Sequence, residues 1–309
     1  MLFKEKKYST TAVSHRKTHP FHLVDPSPWP ICMSVSVFVM ALGLVLSFHG
    51  YVESKYILGL GISSVLYMMY VWWRDISRES LLDHHTVKVQ SGLQLGMMMF
   101  IVTEAMFFFG LLWAFLHAAL MPTVQISQTW PPEGIVPVDW TRRPALNSAL
   151  LATSYFTANL SQYAIQVNQS IKQCRIYLGL TIILGVLFTF YQYLEYNDAC
   201  FTMSDSVYGC NFFLATGFHG FHVIVGFLFL TVCFLQLNTT TREHSIALQL
   251  AVLYWHFVDI VWIAIYGLIY VWGNLQSVRP ASLSIDSMSL LDILLDETKA
   301  DLWKQGQAN

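Results

Sequence analysis

The sequence predicts an all-α polytopic membrane protein with seven transmembrane helices, and three observations carry that expectation. Of 309 residues, 55% are hydrophobic and only 12% are charged, whereas soluble domains carry about 25% charged residues. The mean hydropathy is +0.48. Seven apolar runs, at 31–49, 56–73, 93–121, 146–166, 173–195, 209–237 and 248–273, each approach the length of a helix that crosses a bilayer. The net charge of −2 indicates no class of partner, and no basic face suited to nucleic acid exists.

Residues 1–30 form a basic and then proline-rich segment without the apolar core of a secretory signal. The run DPSPWP should lie extended, because proline disfavours helix in the residue before it. Trp29, at the edge of the first span, suits an interfacial anchor. The first two spans occupy 31–73, and a polar loop is expected at 74–92. Spans three to seven fill 93–273, and their short connections imply antiparallel neighbours. The exception is the connection PTVQISQTWPPEGIVPVDWTRRP, whose proline and tryptophan content suits a packed surface loop. Span four is the weakest, because Asn159, Ser161 and Gln162 need partners within protein. The extension 274–309 is polar and acidic. Its stripe of Leu290, Leu291, Leu294, Leu295 and Trp303 reads either as a short amphipathic helix or as a solvated tail.

Basic residues set the expected orientation. Lys4, Lys6, Lys7, Arg16, Lys17, Arg74, Arg78, Lys88, Lys172, Arg175 and Arg242 fall on the N-terminal side of a seven-span chain. Lys55, Arg142, Arg143, Arg279, Lys299 and Lys304 fall on the other. The N-terminus should therefore face the negative compartment. Five cysteines show no CxxC spacing and read as free thiols rather than a Cys200–Cys210 pair.

The third span, LQLGMMMFIVTEAMFFFGLLWAFLHAALM, contains one acid, Glu104. At ~1.5 Å per helical residue, Glu104 lies about 16 Å into the span, near the middle of the hydrocarbon. Its neighbours at helical spacing, Phe100, Ile101, Phe107 and Phe108, cannot pair a charge. The carboxyl should be held neutral or find a partner on another helix. Two roles stand open: a proton-related function, or a hydrogen bond that only holds packing.

His219 and His222 share a helix face, and His256 and Asp259 repeat that spacing. Such groups could ligate a metal or hydrogen-bond between helices, and the second role needs no convergent further ligand. No metal site and no haem site are expected. Trp72, Trp73, Arg74, Asp75, Arg78, Glu79, His84 and His85 set aromatic rings beside charges, which suits lipid headgroups or merely marks topology. Trp113 and His117 share a face late in span three. Gly59, Gly61, Gly92, Gly96 and Gly110 suit close helix contacts. No nucleophile elbow, phosphate loop or nucleotide fingerprint occurs.

Taken together, these motifs resemble subunit III of cytochrome c oxidase, from about His19 to Asn274. The resemblance rests on HLVDPSPWP at 22–30, WWRDISRES at 72–80, HHT at 84–86 and TEAMFFF at 103–109. It continues through WAFLHAALMPT at 113–123, WPPEGI at 130–135, FTMSDSVYG at 201–209, ATGFHGFHVIVG at 215–226 and YWHFVDIVW at 254–262. DPSPWP is similar to mitochondrial members more than to bacterial ones.

The resemblance implies helices 1–2 and 3–7 in two bundles separated by a V-shaped lipid cleft, in the mitochondrial inner membrane with a matrix-side N-terminus. It implies a non-redox subunit of complex IV that binds phospholipids, supports proton uptake and stabilises subunit I, with haem and copper held by partner subunits. Glu104 matches the family's intramembrane acid. Trp73, Glu79, His85, Trp113 and His117 match lipid-contact positions, and Arg78 joins them as a headgroup cation. His219 and His222 match a motif that is not a metal site. The sequence departs from the family where only Arg242 follows span six, where Gln249 replaces a common glutamate, and where Asn159 to Tyr163 replace a histidine pair. The rival class is a free-standing transporter or proton channel that uses Glu104 as its carrier.

Overall fold

Prolines at 26, 28 and 30 keep the chain out of helix until Trp29, where the first helix begins with Pro30 in its opening turn. The computed structural model describes residues 19–82, 84–238 and 245–275. The long helices are α1 (Trp29–Phe48), α2 (Ser54–Leu81), α3 (Val87–Leu120), α4 (Arg143–Gln166), α5 (Ile171–Asp198), α6 (Ser206–Leu235) and α7 (Ile246–Ile265). A 3₁₀ turn, Val124–Ile126, follows α3. A π-helical segment, Tyr266–Trp272, and a last helical turn, Gly273–Leu275, prolong α7. All the regular structure of the described residues is helical, and six of the long helices are long and apolar enough to cross a membrane. The protein is a multi-pass membrane protein. All five cysteines are free.

Two boundaries differ from the sequence expectation. The segment 74–92, expected as a polar loop, is helical at all its described residues except 82 and 84–86: α2 continues to Leu81 and α3 begins at Val87. Hydropathy marks where a chain leaves an apolar environment, not where its helix stops. Polar side chains at helical spacing, such as Asp75 and Arg78, support the extra turns. The π-helical segment after Ile265 carried no sequence signal. The segment 1–18, Arg242 and the apolar stripe from Leu290 to Trp303 lie outside the described residues.

The chain forms two compact units, 1–97 and 98–309. In the first, α1 packs along α2. A Cβ on Gly43 would come within 2.5 Å of the Leu58 backbone nitrogen, and one on Gly61 within 2.4 Å of the Met40 Cα. Absent side chains let the two backbones approach, as small residues do between membrane helices. Of the glycines expected in this role, only Gly61 fills it. A Cβ on Gly59, Gly92, Gly96 or Gly110 meets nothing within 4 Å. The Trp29 indole N–H donates to Asp75 Oδ2 at 2.9 Å, tying the start of α1 to the far end of α2.

In the second unit α5 packs against α4 and α6, and α7 against α4 and α6. Trp255 of α7 is fully buried, and its ring lies against Gly185 of α5 and Gly226 of α6. Polar residues on α4 satisfy the two buried tryptophans of α7. Trp255 Nε1 donates to Ser154 Oγ and Trp262 Nε1 to Ser148 Oγ, both at 2.9 Å. The low hydropathy of the fourth span thus has a structural reason: its hydroxyls accept from indoles that no apolar residue could serve. The connection between α3 and α4 is packed as expected. Trp130 is buried edge-on to Phe115 at 5.4 Å, and Asn274 Nδ2 donates to the Val138 carbonyl at 2.8 Å.

Candidate functional site

Glu104, on α3, meets His222, on α6. Glu104 Oε2 lies 3.0 Å from His222 Nε2, with 23% of the Glu104 side chain and 9% of the His222 side chain exposed. The other ring nitrogen, His222 Nδ1, is 2.7 Å from the Phe218 carbonyl. A carbonyl can only accept, so Nδ1 carries a hydrogen. In a neutral imidazole, Nε2 then has a lone pair and no hydrogen. A hydrogen bond to Glu104 therefore requires a proton on the carboxyl, as O–H···N, or on the imidazole, as N–H···O. Either way the pair holds one proton beyond a carboxylate facing a neutral ring.

Aromatic side chains enclose this pair. Phe108 is edge-on to the His222 ring at 5.0 Å, and Tyr254 stacks along it at 6.4 Å. Phe107 is edge-on to Phe218 at 5.0 Å, and Phe100 stacks on Tyr254 at 6.4 Å. Spacings of three and four residues along α3 put Phe100, Glu104, Phe107 and Phe108 on one face, and a low-dielectric wall strengthens the hydrogen bond it surrounds. The sequence leaves Glu104 either held neutral or paired with another helix, and the structure places His222 of α6 beside it.

The neighbouring histidine does something else. His219 is 1% exposed, and its Nε2 lies 3.2 Å from the Val258 carbonyl, so it donates there. Its ring packs against Trp262 at 5.1 Å and Phe188 at 5.5 Å. On α7, His256 Nε2 is 3.1 Å from Asn159 Oδ1, and its Nδ1 is 3.5 Å from Asp259 Oδ2. Asn159, flagged in the sequence as needing a partner, has one in His256 and also donates to the Tyr155 carbonyl at 3.1 Å. His219, His222 and His256 each spend a ring nitrogen on a protein acceptor, and no metal-ligand cluster forms around them among the described residues.

The expected lipid-contact residues occur in both units. In the first, Trp73 is 56% exposed. Arg74 lies 2.9 Å from Asp75, while Arg78 reaches the same carboxylate only at 3.6 Å and leaves 65% of its side chain exposed. Glu79 lies in the last turn of α2, and His85, in the connection to α3, is 9% exposed. In the second unit Trp113 is 58% exposed, with its ring 6.4 Å from that of His117.

One polar centre escaped sequence reasoning. Glu195, on α5, is 3% exposed, and its Oε1 accepts from the Tyr270 hydroxyl at 2.5 Å and from Gln192 Nε2 at 3.2 Å. Asn147 Nδ2 donates to Gln192 Oε1 at 3.3 Å, which brings α4 into the network. Glu195 stands at the edge of the fifth apolar run, where acids are common and unremarked. The available signal was Gln192, three residues earlier on the same face.

The family model for cytochrome c oxidase subunit III matches residues 19–274. The chain is 46% identical over 261 residues to "Cytochrome c oxidase subunit 3" of Prototheca wickerhamii, covering 84% of this chain and 99% of that protein. It is 46% identical over 260 residues to the protein of the same name from Triticum aestivum, covering 83% and 98%. The likeness to that of Struthio camelus is 46% over 261 residues, covering 84% and 99%.

Proposed function

The chain belongs to the cytochrome c oxidase subunit III family, and on that premise we propose that it binds phospholipids and supports proton uptake by the oxidase while stabilising subunit I. As a member of the family it is a subunit of complex IV. The finer reading puts it in the mitochondrial inner membrane with its N-terminus on the matrix side, as the balance of basic residues suggests.

The observation that carries this reading is the Glu104–His222 hydrogen bond at 3.0 Å. Two ionisable groups sharing one proton inside a membrane span can relay it only if one of them meets a donor or acceptor outside the pair. The exposure of Glu104, larger than that of His222, makes the carboxyl the open end. We assign the proton at rest to the carboxyl, as O–H···N, because an apolar wall disfavours separated charges. In this reading Trp73, Arg78, Glu79 and His85 order headgroups on the N-terminal side, and Trp113 and His117 contact lipid farther along α3. His219, His222 and His256 are committed to Val258, Glu104 and Asn159, which supports reading these three span histidines as structural and not as ligands of a redox centre. In this reading haem and copper belong to partner subunits.

The test is Glu104→Gln and Glu104→Ala in the assembled oxidase, read as oxygen turnover, lifetime before inactivation and bound phospholipid. A shortened lifetime is expected, with Glu104→Ala the more severe because it also strands His222 Nε2. If all three readouts match those of the parent complex, the functional reading of this residue fails.

A further inference from the structure

We propose that His22, Glu79 and His85 form a binding site for a divalent transition metal of the zinc type. One ligand atom from each, a ring nitrogen of either histidine and a carboxylate oxygen of Glu79, lies within 4.8 Å of the other two. All three belong to the first compact unit. They come from three separate stretches: the segment before α1, the last turn of α2 and the connection into α3. Sequence spacing alone brings none of them together, which is why no metal motif was visible.

The donor set is chemically apt. Two imidazoles and one carboxylate, with a fourth position left to water, is a recurrent open zinc arrangement. Metal–ligand bonds of about 2.0–2.2 Å put tetrahedral ligand atoms roughly 3.3–3.5 Å apart, so a closure of up to about 1.4 Å by side-chain rotation completes the geometry. Thicker hydration and oxygen preference make calcium and magnesium poorer fits to two imidazoles.

Independent contacts hold the three stretches in place. The Thr86 hydroxyl donates to the Pro20 carbonyl, fastening the segment before α1 to the connection. The His22 ring stacks on that of His84 at 4.9 Å and meets His85 edge-on at 6.3 Å. The Trp29–Asp75 bond fixes α1 against α2 one turn before Glu79. The nearby cations do not neutralise Glu79, because Arg74 and Arg78 both face Asp75, and no described cation pairs with Glu79. A carboxylate with no counter-ion among the described residues, beside two imidazoles, is an electrostatic setting that favours a divalent cation. Bound metal would pin the segment before α1 to the end of α2.

This site does not depend on the lipid reading. Glu79 and His85 figure in both, whereas His22 belongs to the metal site alone. The experiment uses the oxidase assembled with the full chain. The purified complex is treated with EDTA, equilibrated with radioactive zinc, and its exchangeable zinc counted beside haem and phospholipid. The expected result is one exchangeable equivalent fewer in His22→Gln and in His85→Gln than in the parent, with haem and phospholipid unchanged in His22→Gln. Glu79→Gln should retain the equivalent only at higher zinc concentration. Equal exchangeable zinc in His22→Gln and the parent overturns the proposal. Should His85→Gln prevent assembly, His22→Gln decides alone, since His22 lies outside every helix. Failure of the lipid reading would register separately, as phospholipid content that no headgroup substitution alters.

Discussion

The Tyr270 hydroxyl donates to Glu195 Oε1 at 2.5 Å, joining the π-helical segment after α7 to the end of α5. Both residues are almost fully buried, at 1% and 3% exposure, and Gln192 Nε2 reaches both. Tyr270→Phe removes one donor and leaves the acid. The expected cost is about 1–3 kcal/mol, the penalty for stranding a buried polar group. Glu195→Leu in the Tyr270→Phe background should cost less than the sum of the single changes, because the group left stranded is then gone. Because large membrane complexes unfold irreversibly, the check is the rate at which the chain is lost from the heated oxidase. Simple additivity of the two changes would refute the coupling.

Trp255 fixes the middle of the second unit. A Cβ on Gly185 would approach its Cη2 to 2.7 Å, and one on Gly226 its Cε3 to 2.9 Å. Gly185→Ala and Gly226→Ala should each destabilise by about 1–3 kcal/mol through overpacking. Trp255→Phe should relieve part of either cost while leaving Ser154 Oγ without its donor. Gly92→Ala and Gly96→Ala are the controls, since nothing lies within 4 Å of either new Cβ. The same heat-loss assay checks all of these, and equal effects at controls and packed sites would contradict the close approach.

Asp139, in the connection before α4, offers a pH-dependent feature outside the membrane spans. The Thr141 hydroxyl donates to its Oδ1 at 2.7 Å and the Thr141 N–H at 3.0 Å. These two bonds, aided by Arg142, hold the carboxyl below its ordinary value against a smaller opposing effect of burial. A lowered folded-state pKa contributes stability above the unfolded value, which is lost as pH falls through the folded one. Below the ordinary carboxylate range, amide exchange at Thr141, corrected for intrinsic rate, should therefore rise. Asp139→Asn should flatten that dependence, and an unchanged profile in the variant would rule out Asp139 as its source.

The sequence was most informative where hydropathy and spacing act locally. Span positions, the isolation of Glu104 and the unmet polar groups of the fourth span could all be read in that way. Less visible was anything decided by convergence between distant stretches. That His222 rather than His219 faces Glu104 depends on how α6 is rotated, and a three-residue spacing on one helix leaves that open. Glu195 was hidden by its place at the edge of an apolar run. The approach of His22 to Glu79 and His85 depends on a short connection between α2 and α3. Hydropathy had lengthened that connection into a loop, because charged residues continue a helix as well as end a span.

Arg74 and Arg78 face the same carboxylate but should fail differently. Arg74 makes the 2.9 Å contact with Asp75, which also accepts from Trp29, so Arg74 belongs to the tie between α1 and α2. Arg78 stands at 3.6 Å with most of its side chain exposed, so Asp75 keeps its nearer partners without it. A planar guanidinium with free donors at the edge of a span can grip a phosphate at two points. Arg78→Ala should therefore lower the phospholipid retained by the purified oxidase while leaving heat stability close to the parent. Arg78→Lys should restore retention only in part, because an ammonium lacks the fork. Arg74→Ala should instead reduce heat stability, through loosening of the Asp75–Trp29 bond. Phospholipid analysis beside the heat-loss assay separates the two arginines, and retention unaltered by Arg78→Ala would remove that residue from the lipid site.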